Sequence, residues 1–188
     1  MNNKDVSSEH KIIKQIVDGD YKLFDTLVQK YQKRVLNFVY GIIKNREDAF
    51  DITQETFIRS YKSLNKFKYN SSYYSWIYRI AYNLSIDHIK KHQSTTSLPL
   101  DQDVVYKDLK NTNDQDIISI IYNEISCLEK KQSTALYLLY NDELSYDEIA
   151  VVMNLPVNTV KSHILRGRES LRTILLSRYG IDKEYING

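Results

Sequence analysis

The run Leu144-Ser145-Tyr146-Asp147-Glu148-Ile149-Ala150-Val151-Val152-Met153-Asn154-Leu155-Pro156-Val157-Asn158-Thr159-Val160-Lys161-Ser162 holds two helices and the break between them. Ser145 and Glu148 form an S-x-x-E capping box ahead of Ile149, Ala150 and Met153, in which hydroxyl and carboxylate each satisfy a backbone donor at the helix start. Asn154-Leu155-Pro156 interrupts the pattern. A second helix begins near Pro156, with Val157, Val160, Ile164 and Leu171 recurring on one side. A short capped helix, a tight break and a basic second helix are the layout of a helix-turn-helix, here over about 145–164. The outward positions of its second helix are Asn158, Thr159, Lys161, Ser162, Leu165, Arg166, Arg168 and Arg172. Asn and Arg can pair bidentately with purine edges in a major groove, and an outward Leu can touch a thymine methyl. Lys and hydroxyl groups can hold phosphates. A solvated polar face is the plainer alternative.

Upstream, Ile118, Ile121, Ile125 and Leu128 form one helical face, and Ala135, Leu136, Leu138 and Leu139 the next. Cys127 follows the first of these and reads as a small packing residue. Residues 94–116 carry no helical period, are rich in Ser, Thr, Asp and Asn, and include Pro99. They read as a flexible linker, which fully extended would span about 75 Å. Before it, Ile12, Ile13, Ile16 and Val17 make a short apolar face, and Asp18-Gly19-Asp20 breaks the chain, with Asp20 placed to cap the next helix. Phe24, Leu27, Val28, Tyr31, Val35, Phe38, Val39 and Ile42 then recur at steps of three and four. A further helix runs from about Arg46 to Leu64, with Phe50, Phe57, Tyr61 and Leu64 expected inward. Another runs from about Ser72 to Lys91, with Tyr73, Trp76, Ile77, Ile80, Ala81 and Leu84 inward. The expectation is all-α: two small helical domains, 1–93 and 119–188, joined by the linker 94–118.

Composition agrees. Among 188 residues there are 5 Gly and 2 Pro, too few for the turns of a sandwich, barrel or doubly wound sheet. One Cys excludes a disulfide framework. No apolar run reaches a membrane-spanning length, and the polar stretch Met1 to Glu9 does not read as a secretory signal, so the expected compartment is the cytoplasm. The net charge of +2 hides an uneven distribution. Residues 56–91 carry 7 basic and 1 acidic side chains, and residues 155–178 carry 5 and 1. Two basic segments in a near-neutral chain are the footprint of a phosphate-binding surface.

The stretch from Phe67 to Asn83 interleaves aromatic and basic residues. Aromatic faces can stack on unpaired bases, and a pocket can grip a flipped base. Tyr73 and Trp76 fit a core role, whereas Phe67, Tyr69 and Tyr74 lie at or near a loop, beside Lys68, and are freer to meet DNA. Arg79, Asn83, Asp87 and Lys90 share a polar stripe that could lie along a strand. A second stripe holds Asp48, Asp51, Glu55, Arg59 and Lys62, acidic at the helix start and basic at its end. That order complements the helix dipole and contains an i,i+4 ion pair, so helix stabilisation accounts for it as well as docking does. No catalytic motif is present: there is no phosphate-binding Gly loop, H-E-x-x-H or C-x-x-C. His88 and His92, at i,i+4, lack a third metal ligand and read as surface residues.

These segments, in this order, resemble the bacterial RNA polymerase sigma factors of the extracytoplasmic-function (ECF) type. Asp51-Ile52-Thr53-Gln54-Glu55-Thr56-Phe57-Ile58-Arg59 looks like the family's D-x-x-Q-E-x-F polymerase-binding helix. Phe67 through Ser75-Trp76-Ile77-Tyr78-Arg79-Ile80-Ala81 to Asn83 looks like its promoter-melting segment. Leu144 to Ser162, with Arg166-Gly167-Arg168-Glu169 and Leu171-Arg172, looks like its −35 reader. The resemblance spans about residues 10–178. It implies no enzymatic activity and no cofactor or metal. It assigns Asp51, Gln54, Glu55, Phe57 and Arg59 to the coiled coil of the polymerase β′ subunit, with the β flap as a further core contact. It matches Phe67 and Asn83 to the lining of a flipped-base pocket for −10 DNA, and Lys68, Tyr69, Tyr74, Arg79 and Lys90, from the aromatic segment and its polar stripe, are expected as further −10 contacts. It matches Lys161, Ser162, Leu165 and Arg166 to −35 contacts, and Asn158, Thr159 and Arg168, on the outward side of the same helix, are expected to join them. An anti-sigma factor is the implied regulator. Three positions depart from the family pattern: Tyr69 stands where many relatives carry Gly, Glu129 where Pro is usual, and Ser133 where Arg is usual. The alternative readings are a helix-turn-helix regulator that acts without polymerase, and a decoy that binds polymerase but not promoters.

Overall fold

The structure is a computed structural model and describes residues 3–69, 71–93 and 114–180. Among these residues it contains helices α1 (Asn3–Val17), α2 (Phe24–Ile43), α3 (Arg46–Lys62), α4 (Tyr73–Gln93), α5 (Asp114–Cys127), α6 (Lys130–Tyr140), α7 (Tyr146–Met153) and α8 (Val157–Tyr179), and no strand. Short 3-10 turns at Tyr21–Leu23 and Leu64–Lys66 join α1 to α2 and α3 to the loop before α4. Asp20 precedes the first of these turns and makes no side-chain cap. The expected cap is therefore absent, because the chain turns once more before α2 begins.

The first bundle forms around α2. Leu27, Tyr31, Val35, Phe38, Val39 and Ile42 are buried along one face. Lys44 ends the helix in the left-handed region, φ 61°, and Asn45 starts α3 by accepting from the amides of Glu47 and Asp48 at 2.9 and 3.1 Å. The phase of α3 departs from expectation. Its buried face is Ala49, Ile52, Thr53, Thr56, Phe57 and Ser60, and Phe50 and Tyr61, expected inward, are 53% and 42% exposed. Polar groups can occupy that face because each is bonded: Thr53 and Thr56 donate to the carbonyls of Ala49 and Ile52 at 2.7 Å, and the Ser60 and Tyr73 hydroxyls meet at 2.8 Å. A buried hydroxyl that is satisfied costs little.

In the second bundle α5 begins at Asp114, so residues 114–118 of the expected linker are helical. The acidic residues Asp114 and Asp116 suit a helix start but add nothing to an apolar period. The rest of that linker, residues 94–113, lies outside the described residues. The capping box is formed: the Ser145 amide donates to Glu148 Oε2 at 3.0 Å, and the Glu148 amide to Ser145 Oγ at 3.3 Å. Asn154, φ 53°, closes α7 in the left-handed region. Glu124, buried in α5, accepts from Arg178 at 3.0 Å and from the Tyr179 hydroxyl at 2.7 Å, which ties down the end of α8. Cys127 is exposed rather than packed, its thiol 3.4 Å from the Asn123 carbonyl.

The two bundles pack on each other, α4 against α7 and α2 against α6. Lys130 Nζ donates to the Ile42 carbonyl at 2.5 Å. The Phe38 and Tyr137 rings lie 6.1 Å apart. Arg79 donates to Asn154 Oδ1 at 2.9 Å. A cavity of about 310 Å³ remains between the bundles, lined by Arg34, Tyr74, Tyr137, Asp142 and Glu148 among others.

Candidate nucleic-acid interface

The side chains of α8 divide cleanly. Val160, Ile164, Gly167, Leu171 and Leu175 are buried against the bundle, and Asn158, Lys161, Ser162, Leu165, Arg166 and Arg168 are exposed. Thr159 is half-buried. Positions 158, 161, 162, 165 and 166 follow the i, i+3, i+4, i+7, i+8 rule, so they share one face of the first three turns. Leu165 stands out at 59% exposed, an apolar side chain facing water among Lys161, Ser162 and Arg166. The Ser162 hydroxyl donates to the Asn158 carbonyl at 2.9 Å and keeps its lone pairs for an incoming donor. Arg168 sits over the Tyr140 ring at 5.5 Å, to the side of that face.

The aromatic segment is more closed than expected. Phe67 is 4% exposed and Tyr74 is 1% exposed. Phe67 packs against Trp76 at 5.4 Å and Tyr69 at 5.1 Å. Tyr74 lies in the first turn of α4, against Tyr78 at 4.2 Å and Tyr31 at 5.7 Å. Burial pushes the hydroxyls of Tyr73, Tyr74 and Tyr78 well above the usual phenol range. Lys68 and Tyr69 remain exposed. The polar stripe of α4 is as expected: Arg79, Asn83, Asp87 and Lys90 are all exposed. Asn83 lies two turns beyond Trp76, about 10 Å along the axis, and Arg79 is held by Asn154.

On α3, Asp51, Gln54 and Arg59 are exposed, Glu55 is half-buried, and Phe57 is buried. Phe57 therefore shapes this surface from beneath. Glu55 and Arg59 pair with each other at 2.6 Å, and Asp48 meets His88 at 3.3 Å. His88, expected at the surface, is half-buried there and stacks on His92 at 4.2 Å. Alongside Asp51 and Gln54 stand Phe50 and Ile58, exposed apolar residues that the reading of α3 as apolar-inward concealed. Their signal was present: residues 49, 52, 53, 56, 57 and 60 form a continuous helical face once Thr and Ser are admitted to it. Near the end of α3 a groove of about 440 Å³ runs between Tyr21, Phe24, Val28, Ile58 and Tyr61. No helix among the described residues is long and apolar enough to cross a membrane, and they contain no cluster of three or more metal-ligating side chains.

Comparison with known proteins assigns this arrangement. The Sigma-70 region 2 family model matches residues 27–95, and the Sigma-70 region 4 model matches residues 118–171. The chain is 36% identical to the ECF RNA polymerase sigma factor SigW of Bacillus subtilis (strain 168), covering 86% of this chain and 94% of that protein. It is 32% identical to the RNA polymerase sigma-H factor of Pseudomonas aeruginosa, covering 87% and 91%, and 30% identical to the ECF sigma-E factor of Escherichia coli K12, covering 87% and 92%. In fold it is similar to RpoE from Bartonella quintana, solved with the anti-sigma factor NepR (TM-score 0.65, 18% identity, 85% and 98% covered). It is also similar to CnrH, solved with the cytosolic domain of CnrY (TM-score 0.63, 18% identity, 88% and 96% covered). Both matched domains occur in order, and the likeness runs along nearly all of each relative in sequence: the chain belongs to the ECF family of RNA polymerase sigma factors.

Proposed function

We propose that this sigma factor divides its work between the two bundles. Residues 1–93 hold core polymerase through the outer face of α3, at Asp51, Gln54, Glu55 and Arg59 over the buried Phe57, where the β′ coiled coil docks. The same bundle captures the melted −10 strand along Lys68, Tyr69, Arg79, Asn83 and Lys90, with Phe67 as the aromatic wall behind them. Residues 119–188 read the −35 duplex with Asn158, Thr159, Lys161, Ser162, Leu165, Arg166 and Arg168, beside the β flap. The observation that carries this reading is the face of α8, where base-reading and phosphate-holding side chains are exposed together over an apolar backing. The chain works in the cytoplasm without chemistry of its own. An anti-sigma factor restrains it, a reading supported by the solved relatives of like fold, one of which is held by a partner named as such.

Start-site mapping tests the whole. RNA made by purified core polymerase on fragmented host DNA, with and without the protein, should show new discrete starts that share two upstream elements. No new starts, with the protein bound to DNA alone, would replace this reading with a regulator that acts without polymerase. No starts with tight binding to core would replace it with a decoy.

A further inference from the structure

Helix α1 lies outside the segment matched by either family model, which begins at residue 27, and it touches the aromatic loop. Glu9 is the reason its position is defined. This carboxylate is 1% exposed; it accepts from the Tyr31 hydroxyl, and Lys30 Nζ donates to it at 2.6 Å. A buried carboxylate without partners is strongly unfavourable, so these two bonds to Glu9 Oε1 favour this register of α1. Ile13 and Ile16, on the same face as Glu9, are buried with it. The next residue round the helix is His10. Its Nε2 donates to the Ser71 carbonyl at 3.1 Å. Its ring meets Phe67 edge-on at 5.6 Å and Tyr69 edge-on at 5.2 Å.

Tyr69 has φ 56°, a backbone conformation that L side chains disfavour. Such a residue persists where its surroundings over-determine it. Its two ring neighbours, Phe67 and His10, supply that determination. The Tyr69 side chain is nonetheless 42% exposed, with Lys68 exposed beside it. One side of the loop is thus open to solvent, and the other rests on α1.

We propose that His10 is a positioning residue for base choice at the −10 element. From α1 it sets the angle of Tyr69 and the position of Phe67, and through them the shape that a flipped base meets. This rests on the −10 reading proposed above. It makes the first helix part of promoter specificity rather than a cover for the core.

The test uses the full chain with core polymerase and four promoters that differ only in the captured −10 base. Melting is read by permanganate reactivity, core and −35 binding by fluorescence anisotropy, and folding by circular dichroism. In His10→Ala, core and −35 binding should stay within twofold of the parent. Melting should fall at least fivefold on the preferred promoter and much less on the others, so that base preference flattens. His10→Gln keeps a donor for Ser71 without the ring, and His10→Phe keeps the ring without the donor; each should recover part of the preference. Equal ratios among the four promoters in parent and all three variants would overturn the proposal. If His10→Ala does not fold, unchanged ratios in both Gln and Phe variants overturn it equally. Lys68→Ala and Asn83→Ala separate the two levels of argument. Loss of melting in these with unchanged ratios in the His10 variants removes only the role of His10, whereas unchanged melting in both removes the −10 reading itself.

Discussion

A β-carbon built on Gly167 would stand 2.9 Å from Leu136 Cδ1 and 3.3 Å from Gln132 Cβ. Glycine inside a helix costs about 1 kcal/mol relative to alanine, and here it is kept because α6 and α8 cross at that point. Leu136 is fully buried and cannot swing away. Gly167→Ala should therefore lower stability by about 1–3 kcal/mol, seen as an earlier thermal transition, despite its better helix propensity. Arg166, one residue earlier, faces water and takes no part in the packing. Arg166→Ala should weaken −35 binding by roughly 1–3 kcal/mol in a duplex titration and leave core binding unchanged. The three departures from the expected family pattern also have defined local settings. Tyr69 occupies a left-handed position, which glycine adopts without steric cost. Glu129 has φ −51°, a value that proline also adopts. Ser133 is buried, and its hydroxyl donates to the Lys130 carbonyl at 3.1 Å. None of this was legible in the sequence, because backbone angles and the crossing of two helices depend on partners far along the chain.

Helices with strong patterns were legible and one with a mixed pattern was not. The apolar steps of α2 and the capping box of α7 use local rules, and both stand where the spacing put them. In α3 the inward face is half hydroxyl-bearing, so a search for apolar residues rotated the helix. The corrected phase puts Phe50 and Ile58 on the surface next to Asp51 and Gln54. An exposed pair of this kind, beside residues proposed to hold polymerase, contributes through contact rather than folding. Ile58→Ser and Phe50→Ser should each weaken core binding about tenfold, equivalent to roughly 1.4 kcal/mol. Denaturation midpoints should stay near that of the parent, since exposed substitutions usually move stability by no more than about 0.5 kcal/mol. The aromatic segment erred in the other direction. Tyr74 was expected at the DNA and is buried, because it falls where α4, α2 and the second bundle meet.

The packing of the two bundles had no sequence signal at all. It places a carboxylate, Asp142, between them. Asp142 Oδ1 accepts from Asn141 at 3.1 Å, and Oδ2 is buried without a hydrogen-bond partner, as are the hydroxyls of Tyr74 and Tyr78. Burial holds its carboxyl above the ordinary value of 3.8, an effect that the Asn141 bond and the Arg34 charge only partly offset. Packing thus favours the protonated form over the charged one. Its stabilising contribution is complete below the ordinary value and is lost as pH rises through the raised one. At neutral pH the charge works against closure. Asp142→Asn should tighten the packing at pH 7, and its difference from the parent should vanish in acid. Small-angle scattering, or energy transfer between labels on the two bundles, would read both. A second contact answers to mutation: Arg79→Ala removes the bond to Asn154 and should widen the distance distribution slightly, since exposed polar pairs are worth at most about 1 kcal/mol.

Closure also governs how many molecules count. When a binding-competent form is only a fraction of the total, the apparent dissociation constant is the intrinsic one divided by that fraction. With α4 against α7, Arg79 is held by the helix-turn-helix, so it is free to meet a strand only in molecules that have parted. If one molecule in a hundred were parted, apparent affinity would fall about a hundredfold. At its promoters this chain would then act by its open fraction rather than its copy number. A few hydrogen bonds between two small bundles would then act as a gain control on a whole set of promoters.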